Sequence, residues 1–205
     1  MGSRFINRHN ALTEKFKTLP LDEPWLSLIG TPQQTGTWFI YGNPKNGKTS
    51  FALQLAAYMS KFSRTVYDTI EEGKSLSFML NIERNNVYGI AGTRFLIADK
   101  MPIDELVEEL KKKNSPNFII IDSIQFADLK FSEYKTLKDT FHKKIFCYIS
   151  HVQDNAPDGN IAKRIYRDAN VIFRVEGFRA FCTSRFGGSG HYDISPEMAK
   201  KYWNN

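Results

Sequence analysis

The chain has 205 residues, enough for one domain with a sizeable core, and its 41% hydrophobic and 24% charged composition is that of a globular protein. No apolar stretch approaches the roughly twenty residues that span a bilayer, and the polar start MGSRFINRHN is no secretory signal, so a helical membrane protein is excluded and a cytoplasmic one expected. A net charge of +6 and a pI near 9.2 permit a polyanionic partner without requiring one.

Residues 1–35 read as an arm or lead-in, with a short amphipathic stretch from Ala11 to Lys17 followed by a Pro-rich segment that ends in Trp25. From residue 36 onward, strand-like and helix-like runs alternate through a single domain. Apolar or β-branched runs at 37–41, 64–69, 94–98, 117–122, 145–150 and 170–175 predict strands. Helical patterns fall between them at 48–61, 74–86, 103–113 and, more weakly, 131–142. In the third, acids at 104–109 precede Lys111 to Lys113, which suits the helix dipole. Near-continuous apolar strands alternating with helices predict an α/β, doubly wound, mainly parallel sheet covered on both faces. Gly177 and the Gly187-Gly188 pair separate the last strands, 170–176, 179–185 and 190–194, which are therefore expected to extend the sheet as antiparallel hairpins. Cys147 and Cys182 lack metal-ligand spacing and read as buried free thiols.

The first strand runs into Gly42-Asn43-Pro44-Lys45-Asn46-Gly47-Lys48-Thr49-Ser50, which fits the phosphate-loop pattern at every defined position and opens a helix as that pattern must. Glycines let the backbone curl so that successive N–H groups point inward, and the helix N-terminus adds partial positive charge. Lys48 then reaches the β- and γ-phosphates, and the Thr49 hydroxyl is placed to ligate Mg²⁺. A second metal ligand is expected in Asp122, at the C-terminal end of the apolar run Phe118 to Ile121. No acid directly follows it, so the general base is sought at the end of the second strand, with Glu71 favoured over Glu72.

This set of motifs resembles the RecA-like ATPases, and within them most closely the ATPase core of the RadA/Sms recombination proteins and of the DnaB-type replicative helicases. The segments "IIIDSIQ", "ISHVQD" (149–154), "DGNIA" (158–162), "NVIFRVEG" (170–177) and "TSRFGGSG" (183–190) follow one another in the order of that core. The resemblance implies ATP and Mg²⁺ as ligands and a catalytic set of Lys48, Glu71, Asp122, His151 and Arg185. His151 would sense the γ-phosphate, and Arg185 would act as a finger on a neighbouring subunit's nucleotide. Lys163, Arg164 and Arg167, after the loop at 153–160, would contact nucleic-acid backbone.

A finger acting in trans implies a homo-oligomeric ring or filament, with a hexamer favoured. The resemblance therefore points to a motor or factor of replication or recombination that acts on single-stranded DNA, with helicase activity as one form. Thr183 stands where the family's finger segment carries a Lys. The sequence also contains no zinc module, protease-like domain or primase-binding domain, so a stripped-down factor working with a replication or recombination partner is expected. The alternative is an ATP-dependent assembly switch or adaptor with weak hydrolysis and no direct role on DNA.

Overall fold

The computed structural model describes Arg8 and residues 13–204. Ala11 and Leu12, which begin the expected amphipathic stretch, lie outside the described residues, and residues 14–17 are not helical.

In chain order the strands are β1 (Gly36–Gly42), β2 (Thr65–Thr69), β3 (Phe95–Ala98), β4 (Phe118–Asp122), β5 (Ile145–Ser150), β6 (Val152–Gln153), β7 (Ala156–Pro157), β8 (Val171–Glu176), β9 (Arg179–Ser184) and β10 (Ser189–Asp193). Eight of them form one sheet in the order β10-β9-β8-β1-β5-β4-β2-β3. The six strands from β8 to β3 in that order pair in parallel. β9 and β10 add antiparallel at the edge, as their glycine turns lead one to expect. The short β6 and β7 form a separate hairpin just after the end of β5.

Alternate residues of the central strands point to opposite faces, so each continuous apolar run serves two cores. On one face Trp38, Ile40, Phe118, Ile120 and Phe173 pack under α1 (Trp25–Ile29), α2 (Lys48–Met59), α3 (Leu76–Arg84) and α4 (Val87–Ala91). On the other, Phe39, Ile119, Ile121 and Tyr148 pack under α5 (Ile103–Lys111), α6 (Phe131–Thr140) and α7 (Asn160–Asp168). Leu19, Leu21 and Trp25 of the lead-in segment belong to the first of these cores.

Some element boundaries depart from the pattern in the sequence. The helix expected over 74–86 ends at Arg84, and Asn86 takes a left-handed conformation from which α4 restarts in a new direction. Ser75 caps α3 by accepting the Phe78 N–H at 3.1 Å. The C-terminal helix α8 (Pro196–Trp203) starts with Ser195 as cap and Pro at its first position, a start signal that hydrophobic periodicity alone does not reveal. Cys147 and Cys182 are buried and unpaired.

One buried charge belongs to the scaffold. Asp68 on β2 is 0% exposed; its Oδ1 accepts the Met101 N–H at 3.1 Å, while Oδ2 has no partner among the described residues. Burial, opposed by that hydrogen bond and reinforced by nearby Asp99, pushes the carboxyl up to about 7. Because the folded value lies above that of the unfolded chain, the fold gains from the protonated form, and this gain is lost as pH rises from about 4 to about 7. Urea titrations should show stability falling across that window, and Asp68→Asn should flatten this part of the profile. A profile identical in the variant would remove Asp68 as its source.

Candidate active site

The parallel strands all point their C-terminal ends to one edge, and the candidate residues collect there. At the end of β1 the chain must pass close to β8: a Cβ on Gly42 would lie 2.0 Å from the Val175 carbonyl oxygen. Lys45 and Gly47 both have positive φ, which curls the loop so that α2 starts beneath it. The turn between β8 and β9 clamps the loop from outside. Asn46 Oδ1 accepts the Gly177 N–H at 2.7 Å, and its carbonyl accepts the Phe178 N–H at 3.2 Å. Asn46 thus serves the loop's shape as well as its chemistry. Lys48 Nζ donates to the Asn43 carbonyl at 3.1 Å, folded back across the loop it would leave for a phosphate.

β5 lies between β1 and β4, and β2 lies on the far side of β4, so the ends of four strands face the loop. Asp122 ends β4. Burial pushes its carboxyl up to about 6; the Tyr67 hydroxyl opposes this by donating to Oδ2, Glu71 reinforces it, and Lys48 and His151 oppose it more weakly. Lys48 is held below its usual value by burial, against the pull of Asp122 and Glu71. Tyr67 is fully buried on β2, and the Thr49 hydroxyl also bonds to its oxygen. One tyrosine therefore bridges Thr49 and Asp122, the two expected metal ligands.

Hydroxyl and carboxylate oxygens are the hard donors that Mg²⁺ selects. Among the described residues no group of three or more His, Cys, Asp or Glu could hold a metal ion alone. That fits an ion which keeps water and takes its remaining ligands from substrate phosphates.

Glu71 and Glu72 diverge. Glu71 Oε2 lies 2.9 Å from His151 Nε2, and its N–H donates to the Asp122 carbonyl at 3.0 Å. Glu72 instead accepts from Ser77 at the start of α3. Of the two acids, Glu71 faces the loop.

Gln125, which no motif singled out, connects these strand ends. Its Nε2 donates to Ser150 Oγ at 2.9 Å and to the Asp158 carbonyl at 2.9 Å, while its Oε1 accepts the His151 N–H at 3.3 Å. Asp158 N–H in turn donates to the His151 carbonyl at 3.0 Å. Tyr67 and Gln125 are both absent from the motif-based set. Their positions two residues before the end of β2 and three after Asp122 were the available signals.

Other expected residues lie away from this cluster. Lys163, Arg164 and Arg167 are exposed on α7, which follows the β6–β7 hairpin. Arg185 follows β9, whose end pairs with the start of β8; its N–H donates to the Asn170 carbonyl and its Nη2 to the Arg167 carbonyl, at 2.9 and 3.0 Å. It sits at the sheet edge opposite the phosphate loop, roughly four strand residues or 13 Å lower by strand rise.

No protein-family profile matches the chain, and no curated protein sequence is similar to it. Solved structures do share its backbone. The flagellar accessory protein FlaH of Methanocaldococcus jannaschii matches 90% of this chain and 97% of its own, with a TM-score of 0.63 at 14% identity. A KaiC-like protein of Pyrococcus horikoshii matches 82% and 95%, with a TM-score of 0.56 at 15% identity. A DnaB-like ATPase domain matches 78% and 81%, with a TM-score of 0.52 at 17% identity. The fold is the RecA-like P-loop fold, as the order of motifs implies.

Removing Gln125 breaks three hydrogen bonds, each contributing on the order of 1 kcal/mol. Gln125→Ala should leave the global fold intact while hydrogen exchange at residues 156–160 accelerates by about tenfold or more. Unchanged protection there would show that the loop is held by other contacts.

Proposed function

We propose that the protein binds ATP with Mg²⁺ and hydrolyses it, and that it does so as an oligomer acting on single-stranded DNA. The observation that carries the reading is the Glu71–His151 pair, set beside Asp122 and opposite Lys48 at the mouth of a complete phosphate loop. The loop amides and Lys48 would bind the β- and γ-phosphates, and Thr49 with Asp122 would hold Mg²⁺, whose charge offsets that of the phosphates. Glu71 accepts the proton of an attacking water, since an ionised carboxylate within reach of that water is the required base. His151 keeps Glu71 turned toward the site, and its backbone reports any displacement to Gln125 and the 153–159 loop.

Arg185 is exposed and remote from its own phosphate loop, so it can serve phosphoryl transfer only on a neighbouring subunit. A ring or filament follows, with a hexamer preferred. Thr183 leaves that finger without a second cation. Lys163, Arg164 and Arg167 would neutralise backbone phosphates without reading sequence.

A second reading is supported by the match to FlaH over most of both chains. In it, ATP controls assembly with a protein partner and DNA plays no part. Measuring turnover with and without single-stranded DNA separates the two; stimulation by DNA favours the first, and stimulation only by a protein partner the second.

Lys48→Ala should abolish tight ATP binding, because the loop loses its only cation at the β/γ position. Glu71→Gln should keep binding and remove hydrolysis, as the amide cannot accept the proton, while Glu72→Gln should retain turnover. If the Glu72 variant is the inactive one, the base has been misassigned. Arg185→Ala should leave nucleotide affinity unchanged and lower turnover by roughly 10³–10⁵-fold, the range for such fingers. Mixing Lys48→Ala with Arg185→Ala protein should restore some activity, since mixed interfaces pair an intact loop with an intact Arg185. Co-assembly without recovery would refute action in trans.

A further inference from the structure

The face of the sheet opposite α2 carries a groove of about 460 Å³ between α6 and α7 that shares no residue with the phosphate loop. Its floor is a column of stacked groups. Tyr134 is 3% exposed and its hydroxyl donates to Asp168, which fixes the ring. Phe131 stacks on it at 6.2 Å and an interplanar angle of 28°, yet remains 42% exposed. The Arg164 guanidinium lies 4.5 Å from the Phe131 centroid.

One helical turn along each helix sits a cation, Lys135 after Phe131 and Arg167 after Arg164. Neither has an ion pair among the described residues. The two acids in the groove do not cancel this charge, because Lys138 neutralises Asp168 at 2.5 Å and leaves only Asp139.

We propose that this groove is a binding track for single-stranded nucleic acid, with the Phe131–Arg164 stack as its base platform and Lys135 and Arg167 as its phosphate contacts. The inference rests on the single-stranded DNA reading above and extends it to residues outside the 153–160 loop. Aromatic rings and guanidinium planes accept any base by stacking, and flanking cations follow the backbone. An acidic peptide would use the same cations but has no need of an exposed aromatic held rigid from below. The charge and the platform together favour nucleic acid.

The test is fluorescence anisotropy of labelled oligothymidylate with the full chain, with ATP affinity as the folding control. Phe131→Ala should weaken oligonucleotide binding by about tenfold or more without altering its salt dependence, since stacking and not charge is lost. Lys135→Ala should weaken binding and reduce the salt slope by about one. Phe131→Trp should restore affinity and have its added emission quenched by the bound oligonucleotide. Normal affinity in Phe131→Ala, with tight binding by the wild type, would overturn the groove and leave the loop reading standing. Failure of the wild type to bind would overturn both, as would binding of polyglutamate alone through Phe131.

Discussion

A carboxylate and an ammonium share a poorly hydrated corner at the ends of four buried strands, and burial works against both. Asp122 is pushed up and Lys48 down by the same loss of water, and each is partly restored by the other's charge. Neither could be removed without leaving an uncompensated charge in a site that excludes solvent. A polyphosphate carried by a divalent cation supplies what this corner lacks: negative charge for Lys48 and positive charge for Asp122. The sheet order is what brings them together, because β5 inserted between β1 and β4 spaces the loop from the carboxylate and puts His151 between them.

Tyr67 shows how far the supporting structure is specialised. A buried phenol in the middle of a parallel sheet needs a partner, and this one finds two, at Asp122 and Thr49. Its bond partly offsets the cost of burying Asp122 and fixes which oxygen is left free. It holds the two oxygen ligands in register before any ligand arrives, so less ordering remains to be done on binding.

Much of this was legible in the sequence, and the reasons are particular. The phosphate loop and the run ending in Asp122 are local patterns whose residue types have narrow physical uses, so they survive reading without a structure. The strands showed themselves because both faces are buried, as the near-complete burial of Phe118 to Ile121 demonstrates. Glu71 and Glu72 could be ranked but not separated, since which acid faces the loop depends on how β2 ends; the cap of α3 drew Glu72 away. Tyr67 and Gln125 were hidden for a different reason. A Tyr within an apolar strand and a Gln in a polar loop are ordinary residues, and only long-range pairing, 55 residues apart for Tyr67 and Asp122, makes them part of a site. α7 escaped periodicity because a nine-residue helix offers little more than two turns of pattern, and its exposed basic face resembles a loop.

The two strands that flank the Glu71–His151 pair also carry the two walls of the α6–α7 groove. β4 leads through the Gln125 loop to Phe131 at the start of α6, and β5 leads through His151 and the β6–β7 hairpin to Arg164 on α7. Gln125 bonds to both arms at their roots, so the Phe131–Arg164 stack spans two segments whose separation is set beside the catalytic carboxylate. A shift of His151 cannot be absorbed by a slack loop, because its carbonyl and its N–H are both engaged, by Asp158 and by Gln125. It must instead be carried to the start of α7 or break a hydrogen bond contributing on the order of 1 kcal/mol. That gives a physical route by which the contents of the phosphate site can alter a surface on the far side of the sheet, with a single glutamine as the joint between them.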